Sequence, residues 1–375
     1  MSRIRLSLLA SGVGLALALT ACGANQDNGG GGGNEGGGSS GEGGGIKVGV
    51  ILPETASSAR WEGFDKPMLE EALKAEGLDP DIQNAQGDVS KFTTLADGMI
   101  NAGVEVLIIA SINSEVGGTV AAKAEAQGIP TIDYDRLNLG GSSKYYVSFD
   151  NVKVGEIQGQ GLADALKDKP GAEVIEVEGA PTDNNATLFH EGQRNILQPL
   201  YDAGTLKLVQ SRAIDNWDNQ LGGTAFEQML TANGGRVDGV VAANDGLASA
   251  VITILKKNSL NGTVPVTGQD ATADGLKAIL AGDQYMTVFK PIKQEAEATA
   301  KLAALLAAGK DAEADALATD KSEDTKAGRQ VASVLLDPEL ITRDTVKKVI
   351  DEGYVKAEEV CTADLQAVCA ELGIS

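Results

Sequence analysis

The sequence predicts an α/β fold made of two Rossmann-like lobes, each a doubly wound parallel sheet, which three chain segments join as a hinge. From Ile46 onward, short apolar runs that are typical of buried strands alternate with amphipathic stretches that are typical of helices. Because strand–helix alternation produces parallel sheets with helices on both faces, this pattern favours the α/β class. Nine such strands precede Lys290, more than a sheet of ordinary size contains, so we expect two sheets and therefore two lobes.

The strands are predicted where apolar residues form runs too short for a helix, and the helices where apolar residues recur with the helical period. The predicted strands are Lys47–Leu52, Ile82–Ala85, Val104–Ala110, Thr131–Tyr134, Glu173–Glu178, Lys207–Arg212, Gly239–Ala243, Val264–Gly268 and Met286–Phe289. The predicted helices are about Gly63–Glu76, Lys91–Asn101, Val116–Ala126, Lys153–Leu166, Leu188–Tyr201, Gly222–Ala232, Gly246–Lys257, Asp274–Ala281 and Glu295–Ala308.

Three passages of the chain between the lobes are expected. The extended segment Tyr145–Asn151 follows a glycine-rich loop and leads into a new helix, which is how a chain leaves one sheet for another. The chain then returns to the first lobe around Lys290 and Pro291, and a third passage is expected near Leu336–Glu339.

These passages divide the globular part into two discontinuous lobes. The N-terminal lobe takes residues 46–149 and about 291–337, and the C-terminal lobe takes residues 150–290 and about 338–375. The region Gly309–Gly328 is polar and charged, so we expect it to be a surface loop. Each lobe then contains residues from both halves of the chain.

Residues 1–22 have the features of a signal peptide. Arg3 and Arg5 precede an apolar run from Leu6 to Leu19, and a charged start with a short apolar core describes an export signal. The run is too short to predict a membrane-spanning helix. Leu-Thr-Ala before Cys22 resembles a bacterial lipobox, which implies cleavage before Cys22 and lipidation of its sulfur. An ordinary signal peptide with an incidental cysteine is the alternative.

Residues 23–45 consist mainly of glycine with a few polar residues. Such a segment cannot bury a core and behaves as a flexible coil. A coil of this length has a root-mean-square reach on the order of 25 Å. The sequence therefore predicts an extracytoplasmic globular body, held at the outer face of the cell membrane by an N-terminal lipid.

The charge of the chain disfavours several kinds of partner. Asp and Glu number 53 against 31 Lys and Arg, for a formal net charge of −22, which disfavours nucleic acid and anionic membrane surfaces. A neutral ligand is not affected by this argument. His190 is the single histidine. The chain therefore has too few histidines for a multi-histidine metal site and only one that could take part in catalysis. We predict neither a metal site nor a cofactor.

Polar side chains follow nearly every predicted strand, and Asp135 and Arg136 are the clearest pair. In an open parallel sheet, ligands bind outside the carboxyl ends of the strands, so these residues are expected to face a cleft. Asp accepts hydrogen bonds and Arg donates them, which suits a polyol whose hydroxyls do both. A strand-end salt bridge is the alternative for this pair. Comparable polar residues near other strand ends are Arg60, Asn184, Asn185, Asn244, Asp270 and Lys290.

The two tryptophans of the chain, Trp61 and Trp217, also lie at predicted strand ends. An indole ring can cover the C–H face of a sugar ring and bury it. The alternative is that both rings belong to the core or to a lobe surface. Beside Arg60 and Asp215, the two tryptophans favour a sugar as the ligand.

Seven short runs, in order along the globular part, match a known family. They are Ser58–Trp61, Tyr134–Arg136, Val147–Gly155, Asp183–Asn185, Ala243–Asp245, Gly268–Asp270 and Met286–Pro291. From Ile46 to about Gly353, the chain resembles the type I periplasmic sugar-binding proteins, the receptor subunits of ABC importers. The resemblance is to the D-xylose-binding branch, from which the chain departs at Pro53–Ser57, a turn that is more acidic in that branch.

The resemblance implies a monomer that traps a monosaccharide, D-xylose in the first place, by hinge closure and delivers it to an ABC permease with its ATPase. Arabinose, ribose, glucose or galactose, or a role in chemosensory signalling, are the alternatives. It also implies hydrogen bonds to the sugar from one group of polar residues and a sandwich of the ring by Trp61 and Trp217. The polar residues implied to form these hydrogen bonds are Arg60, Asp135, Arg136, Asn184 or Asn185, Asn244, Asp270 and Lys290.

Cys361 and Cys369 lie in the C-terminal segment of an exported protein, where disulfides form. On one straight helix their Cα atoms would be about 12 Å apart, too far for a disulfide. A disulfide therefore requires an irregular stretch, such as Cys361–Asp364, before a short last helix. We expect the disulfide, and two free buried thiols are the alternative.

Two other classes of protein are weighed against a binding protein. A glycosidase could use Asp135 and Asp270, but this chemistry needs a carboxyl that holds its proton, and Arg136 beside Asp135 favours the ionised form. A sugar-responsive transcription regulator would need an N-terminal helix-turn-helix, whereas this chain begins with a lipobox and a glycine-rich tether. We therefore predict no enzymatic activity.

Overall fold

The computed structural model describes residues 45–55, 58 and 60–374. The predictions of a signal peptide, of lipidation at Cys22 and of a flexible tether concern residues outside this range. The strands are β1 (Ile46–Leu52), β2 (Leu78–Asn84), β3 (Val106–Ile109), β4 (Thr131–Tyr134), β5 (Tyr145–Phe149), β6 (Ala172–Glu178), β7 (Leu206–Ala213), β8 (Gly239–Ala242), β9 (Met286–Phe289), β10 (Asp320–Asp324), β11 (Arg329–Leu336) and β12 (Glu339–Thr342).

The helices alternate with these strands as the sequence predicts, and short helices are added near the C-terminus. They are α1 (Lys66–Ala75), α2 (Val89–Asn101), α3 (Ser114–Glu125), α4 (Asn151–Leu166), α5 (Asn184–Asp202), α6 (Asn219–Ala232), α7 (Asp245–Lys257), α8 (Ala273–Ala281), α9 (Ile292–Ala307), α10 (Asp311–Leu317), α11 (Val346–Asp351), α12 (Ala357–Val360) and α13 (Gln366–Glu371). Irregular helical turns at Trp61–Asp65, Asp215–Trp217 and Arg343–Thr345 complete the set.

The strands form two parallel sheets and one antiparallel pair. The large sheet has the order β10-β11-β5-β4-β3-β1-β2, and all its neighbours pair in parallel except β10 and β11. The small sheet has the order β7-β6-β8 and is parallel throughout, while β12 pairs with β9 in antiparallel fashion. The predicted α/β class, with separate mainly parallel sheets, is confirmed.

The predicted strand Val264–Gly268 is wrong as a regular strand. A single parallel bridge joins Val266 to Val240. Val240 donates its N–H to the carbonyl of Pro265 at 2.9 Å, but Pro265 has no N–H to continue a ladder. The segment therefore lies along β8 without completing a fourth strand of the small sheet.

The predicted loop Gly309–Gly328 is also wrong, because it contains α10 and β10. The strand β10 lies at the edge of the large sheet and pairs only with β11, so most of its side chains face solvent. Charged residues are typical of such edge strands. The polarity of this region therefore reflects its place at a sheet edge, not a lack of regular structure.

The segment Tyr145–Asn151, predicted as a passage out of the first sheet, is itself a strand for most of its length. Tyr145–Phe149 is β5, fully buried inside the large sheet, and the chain leaves the sheet only at Asp150, whose side chain caps α4. The large sheet thus uses residues 46–149 and 320–336, and the other strands lie between residues 172 and 342. The exact lobe boundaries remain a prediction.

Two glycines bring α4 and α5 unusually close together. A Cβ atom at Gly155 would lie 1.9 Å from the carbonyl oxygen of Phe189, and one at Gly192 would lie 1.9 Å from that of Val152. No larger residue fits at either position without moving a helix. This packing fixes α4 and α5 against each other, and α5 begins directly after its capping residue Asp183.

The C-terminal segment contains the irregular stretch that a disulfide requires. The short helix α12 ends before Cys361, an irregular turn follows, and Cys369 lies on α13. The Cα atoms of the two cysteines are 5.9 Å apart and their Sγ atoms 2.02 Å apart, which is a bonding geometry. Among the helices of the described residues, none is both long and apolar enough to cross a bilayer.

Candidate ligand-binding site

A cavity lies where the carboxyl ends of strands from both sheets approach each other. Its empty volume is about 330 Å³, including the part open to solvent. Nine of the ten predicted site residues line it, and the exception is Asn184, whose neighbour Asn185 lines it instead. The lining residues are Ser58, Arg60, Trp61, Asp135, Arg136, Asp183, Asn185, Phe189, Trp217, Asn244, Gln269, Asp270 and Lys290.

Arg60 is buried at the base of the cavity and holds three carboxyl groups. Its Nε and Nη2 donate to the two oxygens of Asp65 at 2.9 and 2.7 Å, and Nη1 donates to Asp135 at 2.5 Å. Nη2 also donates to Glu295 at 3.0 Å. Four hydrogen bonds thus fix the guanidinium. Because a guanidinium has five N–H groups in all, a single N–H group is left to bind a ligand.

Asp135 stands in a strained backbone conformation that the surrounding residues hold. Its φ is +60°, a value uncommon for a non-glycine residue. Its carbonyl oxygen accepts hydrogen bonds from Tyr146 Oη, Ser148 Oγ and Asn185 Nδ2 at 2.9, 2.9 and 2.8 Å. The strain is therefore balanced by contacts, and the carboxylate is directed at Arg60.

The charges around Asp135 keep its carboxylate ionised. Burial alone would raise the pKa of this group, but the positive charges of Arg60, Lys290 and Arg136 together hold the pKa below its usual value. A carboxylate in this state accepts hydrogen bonds strongly from hydroxyl groups. It is poorly suited to donate a proton, as the acid of a glycosidase must.

Glu295, on the first turn of α9, is the least satisfied of the three carboxyls around Arg60. Its side chain is fully buried, and within the described part of the chain Oε1 has no hydrogen-bond partner. Burial raises the pKa of Glu295 well above its usual value, and the negative charge of Asp135 raises it further, although Arg60 opposes the shift. We therefore expect Glu295 to keep its proton to a higher pH than an exposed glutamate does.

A Glu295→Gln substitution tests this protonation state. A carboxyl whose pKa is raised in the folded protein contributes stability below the pKa of the unfolded chain and loses that contribution as pH rises. The free energy of unfolding of the wild type should therefore fall relative to Glu295→Gln between pH 5 and pH 8, by about 1 kcal/mol or more. Urea unfolding at a series of pH values measures this difference.

The matched control is Glu297→Gln, which removes the same charge from an exposed position two residues further along α9. We expect its stability to follow that of the wild type within about 0.5 kcal/mol at each pH. If Glu295→Gln were the less stable of the two variants at pH 8, Glu295 would have to be ionised in the folded protein.

Asp270 and Lys290 form a second charged group on the opposite side of the cavity. Lys290 Nζ lies 3.1 Å from Asp270 Oδ1 and 4.0 Å from Asp135 Oδ2, so it bridges the two carboxylates. Ser58 Oγ donates to Asp270 Oδ2 at 3.1 Å. Asp270 has a φ of +95°, a second strained residue in the same cavity. Backbone strain of this kind is commonly found at active sites and ligand-binding sites.

Arg136, Asp183 and Trp217 form a third group. Arg136 Nε lies 3.2 Å from Asp183 Oδ2, and the same oxygen accepts a hydrogen bond from Trp217 Nε1 at 3.1 Å. Arg136 Nη1 also donates to the carbonyl of Ser111 at 2.9 Å. All three lining side chains are nearly buried, so their mutual orientation is fixed before any ligand is considered.

The two tryptophans differ in their surroundings. The guanidinium carbons of Arg60 and Arg136 lie 4.6 and 5.1 Å from the ring centre of Trp61, which is cation–π distance. Trp217 meets Phe189 edge to face at 6.4 Å. Both rings line the cavity, but stacking of a ligand between them remains a prediction.

Asn185 and Asn244 have partners within the protein. Asn185 Oδ1 accepts from Tyr146 Oη and Asn151 Nδ2 at 3.2 and 3.1 Å, and its Nδ2 donates to Asp135. Asn244 Oδ1 caps α7 through the N–H of Leu247. For Asn185 the structural role is therefore the stronger one, whereas the side-chain N–H groups of Asn244 have no hydrogen-bond partner within the described residues.

The lining includes four residues that the sequence did not single out as ligands: Ser58, Asp183, Phe189 and Gln269. Three of them fall inside or beside the runs that carry the family resemblance, which is the signal that could have found them. Asp183 also caps α5, since its Oδ1 accepts the N–H of Asn185.

Comparison with known proteins agrees with this architecture. The sequence pattern of the periplasmic binding protein domain matches residues 48–311. The D-xylose-binding periplasmic protein of Escherichia coli K12 is 34% identical over 316 residues, which cover 84% of this chain and 92% of that protein. A multiple sugar-binding periplasmic receptor of Rhizobium radiobacter is 33% identical over 331 residues, with the same two coverages.

Solved structures agree as well. An ABC transporter solute-binding protein from Clostridium phytofermentans with bound β-D-glucose superposes with a TM-score of 0.76 at 29% identity, covering 84% of this chain and 99% of the other. The chain belongs to the family of periplasmic binding proteins. Within that family it has the type I architecture, and its relatives are solute-binding proteins rather than enzymes, as the sequence predicted.

Proposed function

We propose that this protein captures a monosaccharide in the cavity and delivers it to an ABC permease and its ATPase. The observation that carries the proposal is the pairing of cationic donors with carboxylate acceptors around a cavity that two tryptophans line. Such pairs offer a ring of hydroxyls both acceptors and donors, and charge-assisted hydrogen bonds are about twice as strong as neutral ones.

The proposed sugar is D-xylose. In support, two relatives at 34% identity are named D-xylose-binding proteins. Glucose is the first alternative, since two solved relatives at 29% identity hold D-glucose, and arabinose, ribose and galactose follow. In this proposal, hydroxyls contact Arg60, Asp135, Arg136, Asn244, Asp270 and Lys290, the ring lies between Trp61 and Trp217, and Asn185 acts by supporting Asp135.

The sugar is trapped by closure of two lobes with the boundaries predicted above. Residues 46–149 and about 291–337 move against residues 150–290 and about 338–375, and three crossing segments serve as the hinge. In this proposal the protein acts as a monomer, as the resemblance to the family implies. A disulfide between Cys361 and Cys369 joins the end of α12 to α13. Lipidated Cys22 holds the tethered body at the outer face of the membrane.

Calorimetric titration of residues 46–375 with a panel of monosaccharides tests the proposal. We expect one-to-one binding with D-xylose the tightest ligand and a Kd in the micromolar range or below, which corresponds to about −8 kcal/mol. Tightest binding of glucose or of another pentose would replace the sugar and keep the site. If no sugar of the panel bound, the proposed function would be wrong.

A further inference from the structure

A second, outer cavity adjoins the sugar cavity and shares two of its walls. It has an empty volume of about 1210 Å³, including the part open to solvent, and its lining includes Gln86 and Asn113 from loops of the large sheet and Thr182 from the small sheet. The only lining residues common to both cavities are Arg136 and Trp217. Within the described residues, the side chains of Arg136 and Trp217 therefore lie between the inner cavity and the outer groove, and we call this pair the partition.

One carboxylate holds both parts of this partition. Asp183 Oδ2 faces Arg136 Nε at 3.2 Å and accepts from Trp217 Nε1 at 3.1 Å, while Oδ1 accepts the N–H of Asn185 at 3.0 Å. The side chain of Asp183 is 5% exposed and that of Arg136 is 11% exposed. Both oxygens of Asp183 are in use, and its negative charge is neutralised by a single cation.

The ion pair also joins the two sheets. Arg136 follows β4 of the large sheet, and Asp183 and Trp217 follow β6 and β7 of the small sheet. Movement of one sheet away from the other must break the contact between Arg136 and Asp183. The hydrogen bond between Asp183 and Trp217 stays intact, because both residues follow strands of the small sheet. The partition therefore opens at Arg136.

We propose that Asp183 is the positioning residue that keeps this partition closed, so that a sugar leaves the inner cavity through the outer groove when the contact between Arg136 and Asp183 breaks. The inference rests on the proposed function, because it needs a sugar in the inner cavity. Asp183 then controls how long the sugar stays bound. It also orients Trp217, through the bond that remains when the lobes separate.

The test compares the dissociation rate of the sugar from wild type and from Asp183→Asn. Asparagine has the same shape but no charge, and only one acceptor oxygen where Asp183 uses two. Loss of a buried charged pair acts mainly on dissociation, so we expect the rate to rise at least about tenfold while the association rate changes less. Stopped-flow tryptophan fluorescence can follow both, since both tryptophans line the cavity.

Asp218→Asn is the matched control. Asp218 lines the outer groove and caps α6, but it uses one oxygen, Oδ1, for the N–H groups of Gln220 and Leu221. Asparagine can keep that cap while removing the same charge from the same groove. We expect both rates of this variant to stay within about twofold of wild type, in line with the small effects of exposed charges.

The outcomes separate the inference from the proposed function. D-xylose, or the tightest sugar of the panel, serves as the probe, and thermal unfolding verifies that each variant is folded. Equal dissociation rates for wild type and Asp183→Asn would overturn the inference alone, as would an equal rise in Asp218→Asn. A wild type that binds no sugar would overturn both.

Discussion

Replacing Arg60 by alanine should lower the free energy of unfolding by about 3–5 kcal/mol at pH 7, the cost of leaving buried charges without their partner. Arg60 pairs with Asp65 and Asp135, which are buried with it, and it also donates a hydrogen bond to the fully buried Glu295. Lys290, at 4.0 Å from Asp135, and Arg136 are the other cations near this group, but they already pair with Asp270 and Asp183. Urea unfolding followed by circular dichroism measures the loss.

Acidification should recover part of this loss. The charge of Arg60 is one of those that hold the pKa of Asp135 below its usual value, so in the variant burial would raise that pKa. Asp135 then becomes neutral at a higher pH in the variant than in wild type. The difference in free energy of unfolding between wild type and Arg60→Ala should therefore shrink from pH 7 to pH 4.5.

Arg212→Ala, at an exposed arginine of β7, is the control. An equal loss in both variants, or a deficit independent of pH, would contradict this account of the cluster.

Replacing Asp270 by alanine should weaken sugar binding about 100-fold or more. The change removes a carboxylate acceptor from the cavity and leaves Lys290 with only the more distant Asp135, and truncation of one partner of a buried charged pair costs about 2–5 kcal/mol. A factor of 100 corresponds to about 2.7 kcal/mol. Calorimetric titration with the tightest sugar of the panel measures the loss.

Asp274→Ala provides the comparison for this variant. Asp274 lies four residues further on, on the first turn of α8, where it pairs with Lys277 at the surface. Its removal should change the sugar affinity less than about twofold, because exposed pairs contribute little. Should Asp270→Ala bind as tightly as wild type while staying folded, Asp270 would have no part in recognition.

The sequence predicts the position of the cavity well because position follows from topology. Asp135 and Asn244 each come directly after a predicted strand of a parallel sheet, and parallel strands bring their carboxyl ends to one edge wherever the strand bounds lie. Errors of one or two residues in those bounds do not move the cavity. The α/β class was predictable for the same reason, since it depends on the order of elements and not on their exact ends.

Contacts between distant parts of the chain were not predictable in this way. Glu295 meets Arg60 across 235 positions of sequence, and no local pattern marks either residue as a partner of the other. Asp183 caps α5 through one oxygen, but its second oxygen reaches Arg136 on another sheet, which no local pattern indicates. The strand β10 was read as a loop because an edge strand exposes charged side chains, as a surface loop does.

The pairing of charges in the cavity has a consequence for ligands that carry a charge of their own. Arg60, Arg136 and Lys290 each have a carboxylate oxygen within 3.2 Å, so none of them offers an uncompensated positive charge. A sugar phosphate or a sugar acid would bring an anion against Asp135, Asp183 and Asp270 and would have to displace one of them. We therefore expect the cavity to favour uncharged sugars over their phosphorylated and oxidised derivatives, although these carry nearly the same hydroxyl pattern.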